Sequence, residues 1–324
     1  MKNRKPILLS GLARSGTTWT SNILTHNPDT FYVHEPDNER LYLSTWFLKD
    51  GVHRYPYLTK GQQSPLYRKL WEKIFNNETD NPMFPKKVPV NSYDIEKRLE
   101  QKSGEIHESF FDYTEAAAKD KNIKMRIDLK KKPAGKRLMV KSIYNILALD
   151  WLEENFDFIP IVIIRHPANI ISSYIKLKFN DSSRNIFTQE KLVNDYFKKF
   201  MPKVNRLEDY IEKMAAQIGG VYYVLEKQLK RHPHWILLRH DELCRDPLGQ
   251  FEKLYEKSGL EWTPEIAQFI EGTNRPPEEN RKFLGTYRLV NEENEKYKRL
   301  LSKEEIDKIR GVLEIFGCPF YKNI

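Results

Sequence analysis

The run Gly11-Leu12-Ala13-Arg14-Ser15-Gly16-Thr17-Thr18-Trp19 follows directly on the apolar residues Ile7-Leu8-Leu9, and together they leave few folds open. A glycine-bounded turn at the end of a buried strand lets successive backbone N–H groups converge on one point. The helix that follows adds further amides and the positive end of its dipole. The stretch therefore predicts a strand, a loop that cradles phosphate or sulfate, and a helix start. Gly11 and Gly16 have the Walker A spacing, but Thr17 and Thr18 stand where that motif places its lysine. The cation has moved inside the loop, to Arg14. A loop of this kind suits phosphate without an obligatory metal ion; the plain alternative is a tight turn carrying an exposed arginine.

Further apolar runs of strand length occur at Phe31 to Val33, Leu138 to Val140, Ile159 to Ile164 and Trp235 to Leu238, most of them followed by helical periodicity. That alternation predicts an α/β fold with a central parallel sheet flanked by helices. Pro167 suits a first helical turn, and Ile170, Ile171, Tyr174 and Ile175 are spaced for one apolar face, with Asn169 and Ser173 on a polar one. Asp246 and Pro247 read as a cap and first-turn pair before a stripe that ends at Gly259. Ser302 and Glu305 form a candidate capping box for a last helix that Gly317 stops.

With 324 residues, 40% of them hydrophobic, the chain can bury one large core, and the expectation is a single domain over 1–324. The segment 41–136, rich in Tyr, Lys, Pro and Asn, reads as an insertion facing the substrate. Its aromatic residues (Tyr42, Trp46, Tyr55, Tyr57, Tyr67, Trp71, Phe110, Phe111 and Tyr113) suit packing first and a cleft lining second. The net charge of +9 is spread along the sequence, which fits an anionic partner but is too modest to imply nucleic acid. Lys130, Lys131, Lys132, Lys136 and Arg137 read as a solvated surface. Only Cys244 and Cys318 are present, without metal-ligand spacing, so neither a disulfide framework nor a metal site is expected. The residues before Ser10 are too few for a signal segment or a membrane span, and the expected location is cytoplasmic.

The fourth apolar run ends in Arg165-His166-Pro167, where a nucleoside triphosphatase would offer an acidic residue to magnesium. A guanidinium at that strand end grips phosphate instead. With Ser173 eight residues on, the arrangement resembles the 3'-phosphate site of sulfotransferases that use 3'-phosphoadenosine 5'-phosphosulfate (PAPS). The resemblance covers most of the chain. Gly11 to Trp19 is similar to the family's 5'-phosphosulfate loop in the R-S-G-T-T form of tyrosylprotein and bacterial members, which implies donor contacts from Arg14, Ser15, Gly16, Thr17, Thr18 and Trp19, with Arg14 also expected to act in catalysis by stabilising charge on the sulfuryl oxygens. Leu138-Met139-Val140-Lys141-Ser142 resembles a segment whose lysine reaches the sulfuryl group, and so implies that role for Lys141. Leu237 to Pro247 resembles the strand before Y-E-D-L-x-x-D-P; His240 stands where the family has a tyrosine near adenine. Arg281-Lys282-Phe283-Leu284-Gly285 resembles the R-K-G-x-x-G segment on the 3'-phosphate, with Phe283 for the first glycine and a spacing one short.

Sulfuryl transfer needs a base for the acceptor proton. His34 and Glu35, at the end of the second run, are both candidates. Glu35 is the choice, because it lies 21 positions after Arg14, the spacing of the tyrosylprotein enzymes. Alternation along the strand end predicts that the two neighbours point to opposite sides. The competing readings are a P-loop small-molecule kinase and a basic nucleic-acid-binding module. The implied acceptor is a hydroxyl, or an amine, of a small molecule or glycan.

Overall fold

The computed structural model describes residues 4–39, 45, 48–49, 51–77, 132–177, 185–273, 293–317 and 319–321. Strands β1 (Ile7–Gly11), β2 (Thr30–His34), β3 (Arg137–Ser142), β4 (Ile159–Ile164) and β5 (Ile236–Arg239) form one sheet in the order β2-β3-β1-β4-β5, with every neighbouring pair parallel. All five expected strands form. Trp235 alone falls outside its strand, since its N–H closes a turn onto the His232 carbonyl before β5 begins.

The strands read as unbroken apolar runs because both faces of the sheet are covered. Alternate residues enter two separate cores. Leu8, Val140, Val162 and Ile164 pack with Trp71, Trp151 and Tyr222 on one face. Ile7, Leu9, Met139, Ile161 and Ile163 pack with Trp19, Phe251 and Tyr255 on the other.

The helices sort accordingly. On the second face lie α1 (Thr17–His26), α6 (His240–Arg245), α7 (Pro247–Ser258) and α8 (Pro264–Thr273). On the first lie α2 (Pro65–Phe75), α3 (Leu149–Asn155), α4 (Pro167–Lys176), α5 (Tyr210–Arg231) and α10 (Lys303–Ile315), while α9 (Lys296–Leu300) packs against α4. Their ends follow the local chemistry. Asp246 accepts the Gly249 N–H ahead of α7, and Gly259 ends that helix at φ 64°. Ser302 and Glu305 close the capping box of α10. In α4, Ile170, Ile171 and Tyr174 are buried as the stripe requires, but Ile175 is 36% exposed, so the apolar face is narrower than its spacing implied. No helix among the described residues is long and apolar enough to cross a membrane.

Much of the described part of 41–136 is core. Tyr55, Tyr57, Tyr67 and Trp71 are all buried, which makes packing their task. Tyr42, Trp46, Phe110, Phe111 and Tyr113 lie outside the described residues, as do Lys130 and Lys131.

Because all strands are parallel, their C-terminal ends share one edge. The chain leaves β1 toward β2 on one side, while β4 and β5 extend the sheet on the other. A crevice opens where strand order reverses in this way. The glycine-bounded loop after β1 stands at that point.

Candidate active site

Backbone geometry explains the loop's composition. A Cβ on Gly11 would meet Ile163 Cγ2 at 2.7 Å and Ser15 Oγ at 2.8 Å, so only glycine lets β1 and the loop approach this closely. Arg14 and Gly16 both take left-handed conformations, at φ 68° and 100°. Ser15 is buried, and its hydroxyl donates to the Leu12 carbonyl at 2.6 Å, so it braces the loop from within. Helix α1 has no side-chain cap, and its first bond runs from Thr20 N–H to the Gly16 carbonyl. The amides of Thr17, Thr18 and Trp19 are therefore left without intrahelical acceptors at the positive end of a dipole, an anion seat made of backbone alone.

Trp19 and His240 form the floor of this seat. Trp19 is buried edge-on to His240 and Phe251, with its indole N–H donated to Thr273 Oγ1 at 3.2 Å. His240 is 1% exposed, and a Cβ on Gly16 would lie 2.3 Å from its Cδ2. Both rings support the loop from below rather than line an open cleft.

On the β4 side, three of the expected residues converge. Arg165 sits just past β4, its backbone clamped by the Tyr222 hydroxyl, which accepts the Arg165 N–H at 3.0 Å and donates to the Arg165 carbonyl at 2.6 Å. Arg165 Nη1 donates to the Arg14 carbonyl at 2.9 Å, and Arg14 Nε donates to Ser173 Oγ at 2.8 Å. Arg14, expected at the sulfuryl group, thus reaches instead toward α4 and Ser173. Arg165 Nη2 also donates to Glu293 Oε2 at 2.8 Å, and Lys296 holds the other oxygen of that carboxylate at 2.7 Å. Nothing in the sequence around Glu293 points to this pairing, which joins residues 128 positions apart. Arg281 and Lys282 lie outside the described residues.

On the β3 side the geometry is tighter. Lys141 is buried, and its Nζ donates to Glu35 Oε1 at 2.7 Å and to Thr18 Oγ1 at 3.1 Å. Asn38 Nδ2, another residue that sequence reasoning missed, donates to Glu35 Oε2 at 2.8 Å. Glu35 has φ 40°, a left-handed conformation that costs a non-glycine residue roughly 1–3 kcal/mol. That turn overrides the alternation expected of a strand end. His34 bonds through Nδ1 with the Tyr32 hydroxyl at 2.8 Å, yet its Nε2 still comes within 3.9 Å of Glu35 Oε1. Glu35 is buried beside the loop, whereas the His34 side chain is 45% exposed.

Charge follows from these contacts. Burial alone would push the Glu35 carboxyl up. The Lys141 ammonium and the hydrogen bonds from Lys141 and Asn38 outweigh it, and the carboxyl stays below the usual carboxylate range. Partial burial and the Lys141 charge pull the His34 imidazole below its ordinary value, against the opposing pull of Glu35. Asp37, wholly buried two residues beyond Glu35, accepts the Ser142 hydroxyl at 2.6 Å; burial raises its carboxyl to about 6. The edge thus presents an anion seat, arginines on one side of β1, and a carboxylate joined to a lysine on the other.

Among solved structures, the chain resembles the sulfotransferase domain of the Synechococcus PCC 7002 olefin synthase, at 13% identity and a TM-score of 0.43 over 98% of this chain and 96% of that one. A sulfotransferase from Mycobacterium avium aligns at 14% identity and a TM-score of 0.44, over 100% and 79%. The sulfotransferase domain of the curacin biosynthetic pathway aligns at 14% and 0.43, over 96% and 98%. No curated protein matches the sequence. The model of the sulfotransferase family matches residues 6–264, a span that runs from the foot of β1 through the loop, Glu35, Lys141, Arg165 and Ser173 to the start of α8, and the chain belongs to that family.

Proposed function

We propose that this sulfotransferase takes its sulfuryl group from 3'-phosphoadenosine 5'-phosphosulfate and passes it to a hydroxyl, or an amine, of a small molecule or glycan, with Glu35 as general base. One observation carries the reading. Lys141 Nζ lies 2.7 Å from the Glu35 carboxylate and 3.1 Å from the Thr18 hydroxyl, so base, cation and phosphate loop meet around a single group. The residues also suit the donor's other end. The Arg165 guanidinium that holds the Glu293 carboxylate also donates to the Arg14 carbonyl, and Arg14 in turn bonds Ser173, a grouping that would suit a second anionic group of the donor.

In this reading the donor supplies the sulfuryl group and a nucleotide leaving group. The loop amides and Lys141 hold the charge on the sulfuryl and bridging oxygens, a fixed electrostatic environment worth several kcal/mol of barrier. Arg165, Ser173 and Arg14 grip the 3'-phosphate, so that binding energy far from the sulfur aligns it. An anion beside Lys141 draws on the charge that now holds the Glu35 carboxyl down, and this leaves Glu35 a better base for the acceptor proton. Trp19, Ser15 and His240 shape the loop, and Asn38 aims Glu35. The whole chain acts as one domain, with the segment 41–136 toward the acceptor.

The test is the Glu35→Gln variant. It should bind 3',5'-bisphosphoadenosine as the wild type does, and should lose sulfuryl transfer by about 10²–10⁴-fold, followed as a mass gain on candidate acceptors. Normal turnover in the variant would remove Glu35 from the role. Preference for ATP with magnesium over the bisphosphate would instead favour a kinase.

A further inference from the structure

At the opposite edge of the sheet, three side chains form a cluster that sulfuryl transfer does not use. We propose that Glu153, His232 and His234 are a binding site for a divalent transition metal of the zinc type. Glu153 lies on α3, which leads into β4, and the two histidines lie in the turn that leads into β5. The site therefore joins the N-terminal ends of two adjacent strands. One ligand atom from each residue lies within 4.8 Å of the others.

The three donors already face one another closely. His234 Nε2 is 2.5 Å from Glu153 Oε1, and His232 Nδ1 is 2.9 Å from Glu153 Oε2. Ligands at zinc distances of about 2.0–2.2 Å stand about 3.3 Å apart in a tetrahedron. An ion between them thus requires shifts on the order of an ångström, and the displaced ring protons pass to solvent. Two imidazoles and one carboxylate, with a fourth position left to water, is a donor set suited to zinc.

Two features show that the ligands are held in advance. The remaining nitrogen of His232, Nε2, is 3.0 Å from Asp150 Oδ1, and Arg231 donates to the other Asp150 oxygen at 2.6 Å. A carboxylate behind a ligating histidine fixes its tautomer and its orientation. The His232 ring also stacks on Trp235 at 4.6 Å and 14°, and the Trp235 indole N–H donates to Glu153 Oε1 at 3.1 Å. Pro233, between the two histidines, restricts the backbone of His232. His232 is buried, while His234 is 59% exposed, which gives an ion a way in.

Metal-stripped protein titrated calorimetrically with zinc chloride should bind one ion per chain in the micromolar range or tighter. Cobalt(II) in its place should give visible bands of a nitrogen- and oxygen-ligated ion, without thiolate absorption. His234→Ala changes an exposed side chain, so the fold is kept, and it should weaken binding by about a hundredfold. Asp150→Asn, which leaves all three ligands, should weaken it by about 10–100-fold. Absence of a one-to-one ion, thiolate absorption from the cobalt form, or unchanged affinity in His234→Ala would each overturn the site. None of these readouts depends on the donor, the acceptor or Glu35.

Discussion

Glu35 is pulled in two directions by its surroundings, and if it is the base of the proposed reaction, the balance sets how the enzyme responds to pH. Burial raises the carboxyl, Lys141 and Asn38 lower it, and the lowering wins. A base must be ionised to act, so activity should persist through neutral pH and fall only as pH drops below the ordinary carboxylate range. Lys141→Met removes the charge that holds the carboxyl down. The acid limb of kcat/KM should then move up toward neutrality, on top of a loss of about 10²–10³-fold in rate from the missing cation. If the limb stays in place, Glu35 is not the titrating group. The second residue to probe is Glu293, whose carboxylate bonds Arg165 at 2.8 Å and would compete there with the 3'-phosphate of the proposed donor. Glu293→Gln keeps the shape but removes the competing charge. Calorimetry should show 3',5'-bisphosphoadenosine binding about tenfold tighter, equivalent to ~1.4 kcal/mol. Weaker binding would instead make Glu293 part of the nucleotide's own site.

At the level of elements, the loop and the start of α1 depend on Gly16 in two separable ways. Its φ of 100° disfavours any side chain, and a Cβ would lie 2.3 Å from His240 Cδ2. Gly16→Ala should lower stability by roughly 1–3 kcal/mol and weaken nucleotide binding. His240→Ala in the same chain removes the collision but not the left-handed strain, so the double variant should recover part of the loss. The thermal midpoints of all four proteins form a cycle that separates the two effects, and strict additivity would show that the ring does not press on the loop. The loop was legible in the sequence because everything that shapes it is local: two glycines, an internal arginine and a hydroxyl pair after an apolar run. The strands were legible for the same reason. What could not be read were the partners brought in by the fold. Asn38 looks like a turn residue, Glu293 sits 128 positions from Arg165, and Glu153 lies 81 from His234. Alternation misplaced His34 relative to Glu35, because it assumes an extended backbone that the positive φ of Glu35 denies.

Across the whole molecule, the edge that bears the proposed site also holds a carboxyl whose burial bears on stability. Asp37 is wholly buried, and its Oδ1 has no hydrogen-bond partner among the described residues; Oδ2 takes the Ser142 hydroxyl. This bond fixes the residue that follows Lys141, so a buried charge helps to place the lysine beside Glu35. Burial raises the Asp37 carboxyl from its ordinary value of 3.8 to about 6. The sign of the consequence follows directly. Between about pH 4 and 6 the unfolded chain has lost this proton while the folded one keeps it, so stability falls as pH rises through that window and levels off above it. That difference corresponds to about 3 kcal/mol. Asp37→Asn mimics the protonated form at every pH and does not titrate. Its advantage over the wild type in urea midpoint should be small near pH 4 and widen toward pH 7, because the other carboxylates titrate in both proteins and cancel. A gap that stays constant from pH 4 to 7 would mean that Asp37 is not protonated on folding. If the gap widens while the variant's turnover drops, the ionised Asp37 is kept for its effect on Lys141, at the expense of the fold.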